Sequence, residues 1–389
     1  MTSSAFDYET RSDTNTCPLD EVFENPDPEA KYFVDFDHTL MLASSTERFL
    51  DSARPSVLFA LLLKVLGFLA PWRISGQNGY FVWRDWLRVC MVCLLAPWTH
   101  WVFSRQARAV FDAHLNPHLD RYLSQIDPKK IVIVSFGFEF VIRELIRGTR
   151  YESARIVAPT FWEMARMRKL GKVEMLTSRK IPIDHGRDIV ITDSEADDAD
   201  ILAAVIGGHV ITWGSNNTKG ALSSTYIPFF YTAQIKRTPS FFVKQTLLEE
   251  MAIMVLAFSL FVGSSGFMIA AALACLFLAN FLVYEIGYAE NDRVGLKTEE
   301  KPKLTTNFFR YNDYSLEPAA WVWSILVTIV GMILLGPENG QAALDRLHVP
   351  ALNSYWLNIV ALSAIWFGVI AAGRLCLSLI HISEPTRPY

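Results

Sequence analysis

Charge is scarce in this chain, and the scarcity is uneven. Asp, Glu, Lys and Arg make up 20% of the 389 residues, below the roughly one quarter usual in soluble globular domains. No charged side chain occurs from Met251 to Tyr284, from Ala319 to Gly336 or from Ala351 to Gly373. Uncharged apolar runs of about 18 residues or more are long enough to cross a bilayer, which excludes a purely soluble or a disordered protein. Positive charge is not in excess either. The formal net charge is −4, and without a broad basic face nucleic acid is not expected as a partner. A disulfide framework is missing as well. Cys17 lies in a polar tail, Cys275 and Cys376 in apolar runs, and Cys90 and Cys93 sit inside the apolar run Trp86–Ala96 with no second pair nearby. They read as small buried hydrophobes on a reducing, cytosolic side. Residues 1–30 carry eight acids, one arginine and no apolar core, so a disordered acidic tail is expected there rather than a secretory signal. Internal repeats and low-complexity tracts are absent from the sequence.

What is present divides near residue 245. In the first part, short β-branched runs alternate with helical patterns, which predicts a parallel α/β domain over about 31–215. Lys31–Val34 reads as a buried strand running into Asp35-Phe-Asp37-His-Thr39. Lys130–Val134 ends in Ser135, Ala154–Ala158 is another strand, and Arg187–Thr192 ends in Asp193. Helices are expected at Phe138–Arg147 and Glu195–Val205, and a helical insertion at about 45–125. That insertion has two apolar pieces, Ser56–Trp72 and Trp86–Phe103, which suit buried or re-entrant interfacial helices better than full spans. Trp72, Trp83, Trp86, Trp98 and Trp101 cluster at their ends, as interface anchors or as parts of a large core. Residues 207–245 read as a polar connector, with 216–245 leading to the membrane.

Open parallel sheets bind ligands beyond the carboxyl ends of their strands. Asp35, Asp37, Ser135 and Asp193 occupy such ends. Two carboxylates two residues apart on a strand face the same way and repel unless a cation or a proton lies between them. That predicts a hard divalent metal, most simply Mg²⁺, and allows one carboxylate to act as nucleophile and the other as acid/base. Simpler roles stay open: Thr39 and Ser135 as turn or cap residues, Asp193-Ser194 as a helix cap, and Asp197, Asp198 and Asp200 as a solvated acidic helix start.

With four motifs in order, residues 30–215 resemble the haloacid dehalogenase (HAD) superfamily. Asp35-Phe-Asp37-His38-Thr39 resembles its D-x-D-x-T motif, Ile131–Ser135 its strand-plus-serine motif, Lys172 its lysine, and Asp193-Ser-Glu-Ala-Asp197 its D-x-x-x-D motif. The resemblance implies a Rossmann-like domain with a helical cap at 45–125 that controls access. It further implies a phosphatase in which Asp35 attacks phosphorus and Asp37 serves as acid and then base. Thr39 and Ser135 hold phosphoryl oxygens and Lys172 neutralises charge, with Arg166, Arg168 and Lys169 as rivals for that role. By the same resemblance Asp193 holds Mg²⁺ with Asp35 and the Asp37 backbone carbonyl, and Asp197 orients the lysine or the metal shell. The substrate implied is a phosphorylated small molecule or, given so apolar a cap, a lipid-linked phosphate.

The second part, about 246–376, predicts an all-helical domain in the lipid bilayer with spans at about 247–263, 266–288, 319–336 and 351–373. Basic residues concentrate at Lys236, Arg237 and Lys244 and in the loop 289–318, whereas 337–350 has only Arg346. This predicts an integral protein of a cytoplasmic membrane with residues 1–245 and 289–318 on the cytoplasmic side. Asn291, Asp292 and Glu299 follow the second expected span and are similar to the N-D-x-x-D-x-x-x-D motif of UbiA-type intramembrane prenyltransferases. The resemblance implies Mg²⁺–diphosphate binding there, although Gly295 stands where an Asp is expected and the last acid is Glu. Residues 377–389, Leu-Ser-Leu-Ile-His-Ile-Ser-Glu-Pro-Thr-Arg-Pro-Tyr, look like translated adapter DNA from library preparation. The expectation is therefore that the membrane domain is incomplete. Three functions compete: a tethered phosphatase, a prenyltransferase with an accessory HAD domain, and an inactive membrane scaffold.

Overall fold

The computed structural model describes residue 27 and residues 29–76, 79–211, 213, 219–236, 240, 242–262, 266–299, 302, 304–305, 307–308, 311, 314–350 and 354–383. Most of the acidic tail expected at 1–30 lies outside them, as does part of the expected connector at 216–245. The chain divides into two compact units, Met1–Leu222 and Ser223–Tyr389.

The first unit is built on a five-stranded parallel sheet of order β3-β2-β1-β4-β5. Its strands are β1 Tyr32–Val34, β2 Ile131–Val134, β3 Arg155–Val157, β4 Ile189–Thr192 and β5 Gly207–Val210. β1 is central, with Phe33 in register with Val132 on one side and Val190 on the other. β1 and β2, Tyr-Phe-Val and Ile-Val-Ile-Val, are apolar and buried throughout, as central strands covered on both faces are, whereas the edge strands β3 and β5 are partly exposed. Between β1 and β2 lie α1 Ser45–Leu50, α2 Ser56–Leu69, α3 Gly79–Leu95, α4 Thr99–His114 and α5 Pro117–Leu123. α6 Glu139–Ile146 joins β2 to β3, α7 Met164–Leu170 and α8 Lys172–Ser178 join β3 to β4, and α9 Ala199–Ala203 joins β4 to β5.

Strand side chains alternate between the faces. Phe33, Val132, Val134, Val157 and Val190 pack with Met167, Met175, Leu176 and Ile201 from α7–α9. Tyr32 points the other way and meets Tyr122 of α5 edge-on at 6.2 Å. Two elements depart from the sequence reading. β5 lies in the stretch read as connector, and the apolar piece Trp86–Phe103 is split between α3 and α4, which bend by 117° at their break. Pro97 stands in that break; lacking an N–H, it cannot continue the helix.

The second unit is mostly helical. A π-helical segment Phe242–Met251 leads into α10 Ala252–Val262, followed by α11 Phe267–Thr298, α12 Ala319–Arg346 and α13 Tyr355–Ser383. α12 is kinked at Gly336, next to Pro337. α13 continues into the residues that resemble adapter sequence, as far as Ser383. Among the described residues four helical segments are long and apolar enough to cross a membrane, Ser56–Ser75, Phe267–Thr298, Ala319–Arg346 and Tyr355–Leu375, or five if the bent pair α3 and α4 counts as one span. The set differs from the expected spans at its start. α10 has only 11 residues, because the preceding segment carries Lys244, Glu249 and Glu250 and winds as a π-helix.

The segment before the spans is stitched to α11 by a buried acid. Glu285 Oε2 accepts from Tyr226 Oη at 2.8 Å and Phe229 N at 2.9 Å, and Oε1 accepts from Thr232 N and Oγ1, both at 2.8 Å. A carboxylate this deeply enclosed is tolerated because its lone pairs are filled by donors.

Candidate active site

The carboxyl ends of β1, β2 and β4 bring four of the expected side chains to one place. Asp35 follows β1 and still donates its backbone N–H to Ile191 O at 2.9 Å, so the edge of the sheet fixes where its side chain points. The chain then turns tightly. Leu40 N reaches Asp35 O at 3.3 Å and Met41 N reaches Phe36 O at 2.9 Å, with His38 in the left-handed region at φ 63°. This turn folds Thr39 back between two acids: its Oγ1 lies 3.2 Å from Asp35 Oδ2 and 3.1 Å from Asp193 Oδ1.

Asp37 faces β2. Its Oδ2 accepts from Ser135 Oγ at 3.0 Å and its Oδ1 accepts from the backbone N–H of Ser45. Ser135 is itself oriented by Gly137 N, which donates to its Oγ at 2.8 Å. These contacts hold Asp37 as an acceptor beside Asp35.

Lys172 is the basic residue that reaches the acids. Its Nζ lies 2.6 Å from Asp35 Oδ1, and 2.7 and 2.8 Å from the two oxygens of Asp198. It sits 5.5 Å above the Phe136 ring. Gly171 places it: at φ +93° it breaks α7 from α8, a conformation that L side chains rarely adopt, so α8 starts in a new direction with Lys172 first. Arg166 and Lys169 are exposed. Arg168 instead binds Asp85 Oδ2 at 2.9 Å and the carbonyl oxygen of Phe136 at 3.3 Å.

The partner of Lys172 is Asp198, which the sequence reading had among the solvated acids of a helix start. Asp198 is buried and also accepts from Thr192 Oγ1 at the end of β4. Asp197, the residue at the motif spacing, is exposed, and its N–H donates to Ser194 Oγ at 3.2 Å. The available signal was Thr192, whose hydroxyl at a strand end can hold a buried acid.

Burial pushes the Asp35 carboxyl up to about 7 even though Lys172 pulls it down, and Asp198 and Asp37 push it further up. Burial also works against the Lys172 charge, but Asp35 and Asp198 outweigh it and hold the ammonium above its usual range. Asp193 is raised, chiefly by burial. Lys172 pairs with Asp35 and Asp198, Arg168 at the cavity wall pairs with Asp85, and Asp37 and Asp193 add further acid to the cavity lining, a crowding of carboxylates that favours a bound cation or proton.

The donor set fits Mg²⁺ in kind. Asp35 Oδ2 and Asp193 Oδ1 both lie against one hydroxyl, which has a single proton for the two of them. Mg²⁺ commonly takes one or two carboxylates, with water and phosphate oxygens as its remaining ligands. Among the described residues no group of three or more His, Cys, Asp or Glu side chains is arranged to hold a metal ion. Any such site therefore rests on the two carboxylates.

A cavity of about 170 Å³ lies over these groups, lined by Asp35, Asp37, Ser135, Lys172, Asp193 and Asp198 among others. Beside it is an open cleft of about 980 Å³, and Phe81, Phe136, Arg168 and Asp197 line both.

In the second unit the expected diphosphate residues differ in exposure. Asp292 is buried and engaged by Lys236 Nζ and by Tyr231 Oη at 2.9 Å. Asn291 is half-buried beside it, and Glu299 is exposed at the C-cap of α11. Compared with protein-family models, curated proteins and solved structures, the chain matches none.

Proposed function

We propose that residues 30–215 are a Mg²⁺-dependent phosphohydrolase of the HAD type, working through an aspartyl-phosphate on a phosphomonoester and tethered to a membrane by the helices that follow. The supporting observation is the gathering of Asp35, Asp37, Ser135, Lys172 and Asp193 around one small cavity at adjacent strand ends, with Thr39 buried between Asp35 and Asp193.

In this reading an oxygen of Asp35 attacks phosphorus in line while the ester oxygen leaves. Asp37, in its protonated form, gives that oxygen its proton. Water then attacks the aspartyl-phosphate, Asp37 takes the water's proton, and the P–O bond to Asp35 breaks to release phosphate. Lys172 and the hydroxyls of Thr39 and Ser135 offset the charge that develops on the phosphoryl oxygens, where catalysis of phosphoryl transfer mostly resides. Mg²⁺, held by Asp35 and Asp193, would supply further neutralisation of that charge. Asp198 keeps the lysine charged and aimed at Asp35.

The test is phosphate release from p-nitrophenyl phosphate by the full chain in detergent, with Mg²⁺ and with chelator. Asp35→Asn should lower the rate by about 10³-fold or more, as removal of a covalent nucleophile does. A variant that keeps the wild-type rate ends the proposal.

A further inference from the structure

The helices between β1 and β2 expose an apolar surface that the first unit does not cover. Phe68 is 87% exposed, Ile74 91% and Leu69 67%, and Val65, Tyr80, Leu94, Leu95, Trp98 and Trp101 are exposed as well. Val65, Phe68, Leu69 and Ile74 fall within ten residues of one another on the same excursion of the chain, and exposed apolar side chains grouped in this way mark an interaction surface. Ser56–Ser75 is apolar enough for a membrane, but it does not behave as a crossing. The 20 residues of Ser56–Ser75 would suffice by length, so the decision rests on where the two ends of the segment lie. Both ends of the excursion return to one anchor. Glu47, just ahead of it, binds Arg88 at 2.5 and 2.7 Å and Arg84 at 3.3 Å, both on α3 just beyond it. An ion cluster of this kind cannot sit on the far side of a bilayer from itself, so residues 51–88 go out and come back.

The tip of this hairpin is also the rim of the large cleft. Ser75, Phe81 and Val82 line the cleft, and Ile74 and Tyr80 are their exposed neighbours in the chain. The cleft continues into the small acidic cavity past Phe81, Phe136 and Arg168. The same polypeptide is held at a membrane by its long apolar helices, so a bilayer is the apolar phase within reach of this surface.

We propose that the hairpin lies in the bilayer interface and that the cleft behind it admits amphiphilic phosphates, a phosphate headgroup on a long apolar chain, to the site. The substrate class rests on the phosphohydrolase reading above; the membrane contact does not. The headgroup would enter the polar cavity past Arg168, and the apolar tail would leave along the Phe81, Val82 and Phe136 wall of a cleft whose other side carries Lys169, Asp197 and Asp200. Exposed Trp98 and Trp101, the latter with Arg105 stacked 3.5 Å over its ring, would sit at headgroup depth, where amphipathic aromatics and cations collect.

Two measurements on the full chain in phosphatidylcholine vesicles test this. The first puts the photocrosslinker p-benzoylphenylalanine in place of Ile74 and, as a control, in place of Arg187 beyond the opposite end of β4. A phospholipid adduct at 74 and none at 187 supports the contact. Crosslinks from 74 to residues 246–383, or no lipid adduct, overturn it. The second compares phosphate release from a long-chain alkyl phosphate in the vesicles with release from soluble p-nitrophenyl phosphate, for wild type and Phe68→Asp/Ile74→Asp. The expected result is about a tenfold or greater loss on the alkyl phosphate, with the soluble substrate unchanged. Equal rates on both substrates in wild type and variant overturn the substrate class and leave the phosphohydrolase reading standing. No release from either substrate by wild type ends that reading, and the crosslink still decides the membrane contact.

Discussion

At the scale of single residues, the difference between Asp197 and Asp198 shows how the site depends on burial more than on spacing. A carboxylate one position off the motif is buried against Lys172, while its neighbour faces solvent. Removing one partner from a buried ion pair commonly costs about 3–5 kcal/mol. Asp198→Asn keeps the shape, so a loss nearer the lower end is expected, together with a fall in phosphate release of about tenfold or more as Lys172 loses its orientation. Asp197→Asn should stay within about twofold of wild type, as exposed substitutions usually do. Thermal midpoints and kcat of the two variants, measured side by side, check this, and the opposite order would return the lysine-orienting role to Asp197. Asp35, Asp37, Thr39, Ser135 and Asp193 could be picked out from the sequence because each ends a short apolar run or follows one closely. Asp198 could not, because Asp197, Asp198 and Asp200, clustered within four residues, give no sign of which one the chain folds inward.

At the scale of elements, β1 to β4 were legible because their runs are apolar and bounded by polar residues. β5 was not, because Gly207-Gly208-His209-Val210 lacks the β-branched signal. Gly208 packs closely under α9: a Cβ there would come within 2.9 Å of Leu202 Cδ2, so the leucine side chain would have to turn aside. The ties between elements were equally hidden, since Glu47 with Arg88 and Glu285 with Thr232 are far apart in sequence. Burial works to raise the Glu47 carboxyl, but Arg88, the backbone N–H of Ala221 and Arg84 outweigh it and hold the group below the usual 4.5. A depressed acid contributes stability that is present above its unfolded value and is lost as pH falls through the folded one. At pH 7 Glu47→Gln should therefore lower stability by about 3 kcal/mol, the scale of a broken buried pair. The gap to wild type should close as pH drops below 4.5. Thermal unfolding followed at several pH values measures it; a constant gap would mean that the carboxylate charge is not what joins α1 to α3. Glu285→Ala strands two backbone N–H groups, those of Phe229 and Thr232. It should cost about 3 kcal/mol or more, since hydrogen bonds to a charged group contribute about 1.5–3 kcal/mol each. Detergent-solubilised chain should show this as an earlier thermal loss of its size-exclusion peak.

For the whole molecule, the open question of membrane topology falls on Phe242–Val262. If this segment crosses, residues before it and the loop after α11 share a side; if it does not, they are on opposite sides. α10 alone covers about 16 Å at 1.5 Å per residue, half of the hydrocarbon thickness. Extending it backward meets Glu250, Glu249 and Lys244, whose side chains are exposed and would have to reach the headgroup layer, at the cost carried by charge near a membrane edge. Against that stands the distribution of cations: Lys236 and Arg237 before the segment, Lys244 at its start, and Arg293, Lys297, Lys301, Lys303 and Arg310 after it, with Arg346 the only Lys or Arg in 337–350. The positive-inside bias counts such residues close to span ends, and it puts both basic groups on the cytoplasmic side. Outward-facing Ile253, Leu256 and Leu260 on α10 agree with a helix that meets lipid. Phe242–Val262 is therefore expected to cross as a short π-then-α span, with the bilayer thinned or the charged end snorkelling. Trypsin added to cytoplasm-out vesicles should cut both residues 1–222 and the stretch 301–310 and leave Arg346 intact. In vesicles of the opposite orientation only Arg346 should be cut. Cleavage of 301–310 from the side opposite to residues 1–222 would show that the segment turns back without crossing, and that α11 is the first true span after the sheet domain.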